Sequence, residues 1–441
     1  MHPALLTPVL SASLRGLHRL GWPSALAKMG SSEAQGYAAG IAYMLQARLW
    51  TMVRLREPSW REVHDTWGPA LGDVALRDGL AGQLHEDDRL ELIADGGAGF
   101  ARRAALYARA VRSIDIASYY LQADDTGRAT VQALSSCVRR GVRVRLLVDH
   151  FMSFKKGLEL PGLSQLLAEA VNAGIELRRW HDPSRPNDSN HRKMIIVDEQ
   201  VALVGGRNFA DHYRGNAWRD VDLVLEGPSV APLARLFEGV WRDTGRAGGA
   251  DSGPHSASPW VDHVPRNIRA DPMLRFALAA VGLARQVIEL ELAYFVAHEP
   301  LLTALAQAAA RGVRVRLLTN SAESNDLPYA TWTTYEGVRR LLEAGCQVHA
   351  RRRAGRTLHC KYLVVDGEWV SFGSHNLDYF SPRFCCETNL VVRDARLGAL
   401  LAEFFAGGWG EAPALGIDEV RDFLSKAVAQ RWFDRLFRDF Q

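Results

Sequence analysis

The strongest constraint on this chain is that it repeats itself. "RGVRVRLLVD" (Arg140–Asp149) returns as "RGVRVRLLTN" (Arg311–Asn320), 171 residues further on. "AGIEL" (Ala173–Leu177) is answered by "AGCQV" (Ala344–Val348) at the same offset, and "SYYL" around Tyr119 by "AYFV" around Tyr294. The chain is therefore a tandem duplication, and its 441 residues leave room for two fused halves with flanks.

Each copy reads alike. An apolar strand ("SIDIASYYL", "QVIELELAYFV") leads to a helix ("ATVQALSSCVRRG", "LLTALAQAAARG") and then to the "VRVRLL" strand. Helices alternating with short β-branched strands predict α/β units on a mixed sheet. The reading divides the chain into a helical N-terminal extension (1–88), a first half (89–244), a Gly/Ser/Pro-rich linker (245–259), a second half (260–410) and an amphipathic C-terminal helix (411–441). In the extension, Ser32 and Gln35 offer a capping box. In the tail, Val420, Phe423, Leu424, Ala427, Val428, Trp432, Leu436, Phe437 and Phe440 share one helical face. That face is expected to dock on the protein's own core, with a membrane surface as the alternative.

Composition narrows the setting. A hydrophobic fraction of 47% with 23% charged residues excludes global disorder, and a net charge of +3 permits an anionic partner without requiring one. Five cysteines, an odd number without CxxC spacing, fit a reduced, cytosol-facing protein. No stretch reaches the roughly 18 apolar residues of a membrane span. Attachment to a membrane would then be peripheral.

Inside the duplicated frame lies a motif that folding alone does not explain. "HRKMIIVD" followed by "GGRN" places His191, Lys193, Asp198, Gly206 and Asn208 in order; "HCKYLVVD" followed by "GSHN" places His359, Lys361, Asp366, Ser374 and Asn376. The two histidines are 168 residues apart, as are the two asparagines. On an extended strand the His and Lys share a face, while the Asp, an odd number further on, turns away and is expected to brace the fold. The glycine turn brings backbone N–H groups near an anion, and the Asn adds an amide. Each half thus assembles parts for gripping one phosphate. "DVDLVL" from Asp220 aligns with "ETNLVV" from Glu387, and these two carboxylates are candidates to fix the imidazole tautomers.

With both motifs complete, the sequence resembles the phospholipase D superfamily over about residues 90–410. The stretches "SYYLQADDTG", "GGRNFADHY", "WRDVDLVLEGP" and "GSHNLDYFSPRFCCETNLVV" are most similar to bacterial cardiolipin synthases. The resemblance implies two phospholipase D-like half-domains, each a mixed sheet flanked by helices, related by a pseudo-two-fold with both motifs in one cleft. It implies His191, Lys193, Asp198, His359, Lys361 and Asp366 as the catalytic set. Asn208, Asn376, Gly206 and Ser374 would bind phosphate, and Asp220 and Glu387 would orient the imidazoles. His191 would attack phosphorus and form a phosphohistidine, with His359 as acid and base, and no metal or cofactor would take part.

The implied activity is phosphatidyl transfer, making cardiolipin from two phosphatidylglycerols at the cytoplasmic face of the inner membrane. The alternatives are hydrolysis to phosphatidic acid and, behind it, a nuclease, for which a basic-aromatic stripe is missing. His375, in the free position of "GSHN", is expected in a solvated loop or as a headgroup contact. The run "RRRAGR" (Arg351–Arg356) is expected to be a solvated rim or a lure for anionic lipid.

Overall fold

The duplication becomes two sheets built to one plan. The computed structural model describes residues 81–150, 152–153, 162–182, 188–215, 217–244, 258–265, 271–296, 299–327, 330–378 and 380–427. The expectations for Ser32, Gln35, Val428, Trp432, Leu436, Phe437 and Phe440, and for most of the linker, fall outside these residues.

The first half runs β1 (Arg89–Ile93), α1 (Gly96–Arg109), β2 (Ser113–Ser118), α2 (Asp125–Arg139), β3 (Arg143–Asp149), α3 (Leu163–Asn172), β4 (Glu176–Trp180), β5 (Ser189–Asn190), β6 (Met194–Val197), β7 (Val201–Gly205), β8 (Asp222–Glu226) and α4 (Val230–Asp243). The second runs β9 (Trp260–His263), α5 (Pro272–Leu283), β10 (Val287–Leu292), α6 (Glu299–Ala310), β11 (Arg314–Asn320), α7 (Thr331–Glu343), β12 (Gln347–Arg351), β13 (Lys361–Val365), β14 (Trp369–Gly373), α8 (Ser381–Phe384), β15 (Cys385–Arg393), α9 (Ala395–Glu411) and α10 (Ile417–Lys426).

The first sheet has the order β4-β3-β2-β6-β7-β8-β1, and the second the matching order β12-β11-β10-β13-β14-β15, with β9 also on β15. In each, the strands joined by helices pair in parallel and the motif hairpin pairs antiparallel, which makes the sheets mixed. Local sequence sets the starts. Asp95, Asp124, Asp271 and Asp394 cap α1, α2, α5 and α9 by accepting from backbone N–H groups of the first turn.

Each half has its own outer core, Ile116, Leu134 and Leu146 in the first, Phe276, Leu290 and Leu317 in the second. A third cluster joins the halves. Ile196, Leu223 and Phe237 pack with Tyr362, Leu390 and Phe405, so α4 and α9 close the space between the sheets. At the C-terminal end Val420 is buried and the Phe423 ring lies 4.4 Å from that of Tyr335 on α7, so the described part of the tail docks on the protein itself.

Candidate active site

The seam between the sheets is where the motifs meet. Strand β5 leaves its own sheet and pairs in parallel with β15, Ser189 opposite Cys385 and Asn190 opposite Cys386. The mirror contact is a bridge between Leu358 and Arg219. Two backbone bonds finish the exchange: His191 N–H donates to Cys386 O at 2.9 Å, and His359 N–H to Arg219 O at 2.7 Å. Each histidine is thus delivered onto the opposite half.

The carboxylates complete the crossing. His191 Nδ1 lies 2.9 and 3.0 Å from the two oxygens of Glu387, and His359 Nδ1 lies 2.9 Å from Asp220 Oδ2. The sequence nominated both acids but did not say which imidazole each serves; the fold assigns them crosswise. With Nδ1 engaged, Nε2 of each ring remains for chemistry.

Among the described residues the lysines have no carboxylate partner of their own. Lys193 Nζ donates to His191 O at 2.8 Å and Lys361 Nζ to His359 O at 2.6 Å. Each ammonium also faces a tyrosine ring, Tyr119 at 5.3 Å and Tyr294 at 5.9 Å. These tyrosines occupy matching places in the repeat, a signal already present in "SYYL" and "AYFV". Burial pushes Lys193 down to about 7 and Lys361 in the same direction. Burial also brings His191 down to about 4 despite Glu387, and His359 well below the ordinary imidazole range, aided by Lys361 and Lys193. Two lysines and two imidazoles are packed together in the cleft beside the Glu387 and Asp220 carboxylates.

Asn208 and Asn376 supply the next contacts. Asn208 Nδ2 donates to the Tyr213 hydroxyl at 3.0 Å, Asn376 Nδ2 to the Ser381 hydroxyl at 3.5 Å, each five residues further on. In both copies the amide oxygen is buried with no hydrogen-bond partner among the described residues. Turning the amide over would let the hydroxyls donate to Oδ1 and leave Nδ2 as a donor for an anionic oxygen.

Several expected roles change. Asp198 and Asp366 stand at the far ends of the motif strands, about 16 Å along the chain from the lysines at ~3.3 Å per residue. Asp198 accepts from the N–H groups of Val111, Arg112 and Ser113, and Asp366 from those of Arg285, Gln286 and Val287. Both have positive φ (53° and 50°) and start two-residue turns. They brace the fold, as the strand period predicts, and are not placed to touch substrate.

Gly206 and Ser374 also serve the frame. A Cβ at 206 would sit 2.4 Å from the Asp220 carboxylate oxygens, so glycine makes room for that acid. The Ser374 hydroxyl accepts from Thr388 N at 3.0 Å, and its N–H donates to Asn389 Oδ1 at 2.9 Å, so neither is turned to a ligand. His375 is buried, not solvated. Its Nε2 meets Asp271 Oδ2 at 2.9 Å and Nδ1 accepts from Leu377 N–H, tying the motif turn to the cap of α5. In the first half Arg207 takes the equivalent place, paired at 3.1 Å with buried Asp222. Of the arginine run, Arg352 pairs with Glu419 at 2.6 Å while Arg353 and Arg356 are exposed.

The two sheets, their helices and the crosswise pair of motifs define a phospholipase D-like protein. A family model described as "Cardiolipin synthase, PLD-like domain" matches residues 105–241 and 278–409, more than half of the chain, and the chain belongs to that family. Among similar curated proteins, cardiolipin synthase B of Salmonella typhi is 28% identical over 348 residues, covering 73% of this chain and 80% of its own. Cardiolipin synthase of Halalkalibacterium halodurans is 27% identical over 337 residues, 71% of this chain and 65% of its own. Phosphatidylserine synthase of Haemophilus influenzae shares the fold with a TM-score of 0.65 at 14% identity, over 83% of this chain and 99% of that one. No helix among the described residues is long and apolar enough to cross a membrane.

Proposed function

We infer that the chain is a phosphatidyltransferase of the phospholipase D type, making cardiolipin from two phosphatidylglycerols. The observation that carries this reading is the crossed pairing of His191 with Glu387 and His359 with Asp220 around one cationic cleft. The similarity to cardiolipin synthases supports the choice of lipid.

The site's asymmetry supports His191 as the nucleophile. His191, Lys193 and His375 outweigh burial and hold Glu387 down to about 2, whereas burial pushes Asp220 up. His191 therefore has both oxygens of the more acidic carboxylate behind its Nδ1, which makes its Nε2 the more electron-rich. Nε2 attacks phosphorus, and the glycerol leaving group takes a proton from His359. A second phosphatidylglycerol then gives its hydroxyl proton to His359 and displaces His191. Lys193, Lys361 and the two asparagine amides hold the non-bridging oxygens, where charge builds up in the transition state. An entering phosphodiester anion relieves the crowding of positive charge, so His359 can carry its proton once substrate is bound. Arg353 and Arg356 would face the anionic surface of the membrane's cytoplasmic leaflet.

Purified protein mixed with phosphatidylglycerol vesicles should yield cardiolipin and free glycerol by mass spectrometry of the lipids. His191→Ala and His359→Ala should each lower turnover by about 10³-fold or more. Labelled phosphatidylglycerol should leave acid-labile, alkali-stable label on the wild-type chain and none on His191→Ala. Phosphatidic acid as the sole product would replace transfer with hydrolysis. No lipid product at all would end the assignment.

A further inference from the structure

One flank of the cleft sets beside His191 and Glu387 a third potential ligand, Cys385, that the transfer chemistry does not need. Cys385 and Glu387 are two apart on β15, so both side chains project from the same face. The parallel pairing of β5 with β15 brings the His191 ring against that face. His191, Cys385 and Glu387 are all buried, and each offers a ligand atom within 4.8 Å of the others. No other such trio occurs among the described residues.

We propose that His191 Nδ1, Cys385 Sγ and a Glu387 oxygen form a site for one thiophilic divalent cation of the zinc class, and that the bound ion switches the cleft off. One nitrogen, one sulfur and one carboxylate oxygen are a donor set for such an ion, with the fourth position left open. Bonds of about 2.3 Å to sulfur and 2.0–2.2 Å to nitrogen and oxygen put ligand atoms roughly 3.3–3.8 Å apart in a tetrahedron. The 2.9 Å contact of Nδ1 with Glu387 need open by less than an ångström, and the sulfur, already within 4.8 Å of both, has little distance to close. A thiolate and a carboxylate cancel the ion's charge, so the loaded site is neutral within the protein.

The switch follows from where the protons go. On binding, the Cys385 thiol releases its proton to solvent and its sulfur bonds to the ion. The Nδ1 proton that faced Glu387 moves to Nε2, because Nδ1 now uses its lone pair on the ion. Nε2 then holds a hydrogen in place of the lone pair that attacks phosphorus. This consequence rests on the phosphohistidine reading; the ion site itself does not. The opposite flank has no counterpart. At the position matching Cys385 stands Trp218, whose ring packs 5.5 Å from that of His359, so among the described residues the trio is confined to one flank.

Cadmium(II) serves as probe, because cadmium bound to a thiolate absorbs in the near ultraviolet. Titrating the full chain without lipid should give that band, saturating at one cadmium per chain. It should vanish in Cys385→Ser and persist in Cys386→Ser. In the vesicle assay zinc should inhibit wild type reversibly, with chelator restoring activity. Cys385→Ser should keep basal turnover within about threefold and need at least tenfold more zinc for half-inhibition. Absence of the band in wild type, its survival in Cys385→Ser, or equal zinc inhibition of the two proteins would overturn the proposal. Should no form turn over lipid, the functional reading fails while the absorbance titration still decides the site.

Discussion

The two halves share a plan and differ where they touch the reaction. Around His359 the first half supplies large rings, Tyr213 at 5.4 Å and Trp218 at 5.5 Å. Around His191 the second half supplies Ser381 and Cys385 at the corresponding positions, and the nearby ring is Tyr119 at 4.6 Å from the first half itself. The acids differ too. Glu387 reaches its imidazole with both oxygens, whereas Asp220 uses one oxygen and spends the other on Val221 N–H. Duplication gave two equivalent histidines; their borrowed surroundings made them unequal. A ring under strong carboxylate support suits attack, and a ring boxed by aromatics suits carrying a proton.

Exchanging the acids should break this comparison most visibly. Glu387→Gln is expected to lower kcat by about 10³-fold and Asp220→Asn by about 10²-fold, with vesicle turnover as the measure. The reverse order would exchange the roles of the two histidines. Next come the bracing aspartates, where the halves should behave alike. Asp198→Asn and Asp366→Asn each weaken three backbone hydrogen bonds and should remove about 2–4 kcal/mol of stability, read as matching falls in thermal midpoint. A loss confined to kcat would return those residues to the chemistry.

The pH dependence of anion binding sharpens the comparison further. The Lys193 ammonium, brought down to about 7 by burial, is present below that pH and lost above it. Affinity for inorganic phosphate should fall about tenfold as pH rises from 7 to 8.5, with proton uptake on binding detected by calorimetry in two buffers. Flat affinity would mean that Lys193 stays charged. The smallest effect expected is that of Trp218→Phe, a two- to fivefold drop in kcat with little change in KM, because part of the wall around His359 remains.

Much of this was legible in the chain itself. Strand and helix periods locate β2, β3, α2, β6 and their copies, and strand parity turns Asp198 and Asp366 away from the lysines. The acids at 220 and 387 were found by aligning the repeats. Linear spacing could not show that each would serve the imidazole of the opposite half, since that follows from β5 crossing to β15. The burial of His375 escapes the sequence for a related reason. Its neighbour Asp271 lies 104 residues away, and nothing local distinguishes a buried ion pair from a solvated ring. Gly206 and Ser374 looked like a phosphate turn because glycine permits one; only the packed Asp220 and Asn389 show what that room is for.

The backbone swap at β5 and β15 makes reactivity a joint possession of the repeats. A lesion that loosens the join would silence both imidazoles together, because each leans on an acid supplied from across it. Neither repeat is free to drift alone, and two separately produced repeats would regain chemistry only by finding each other again.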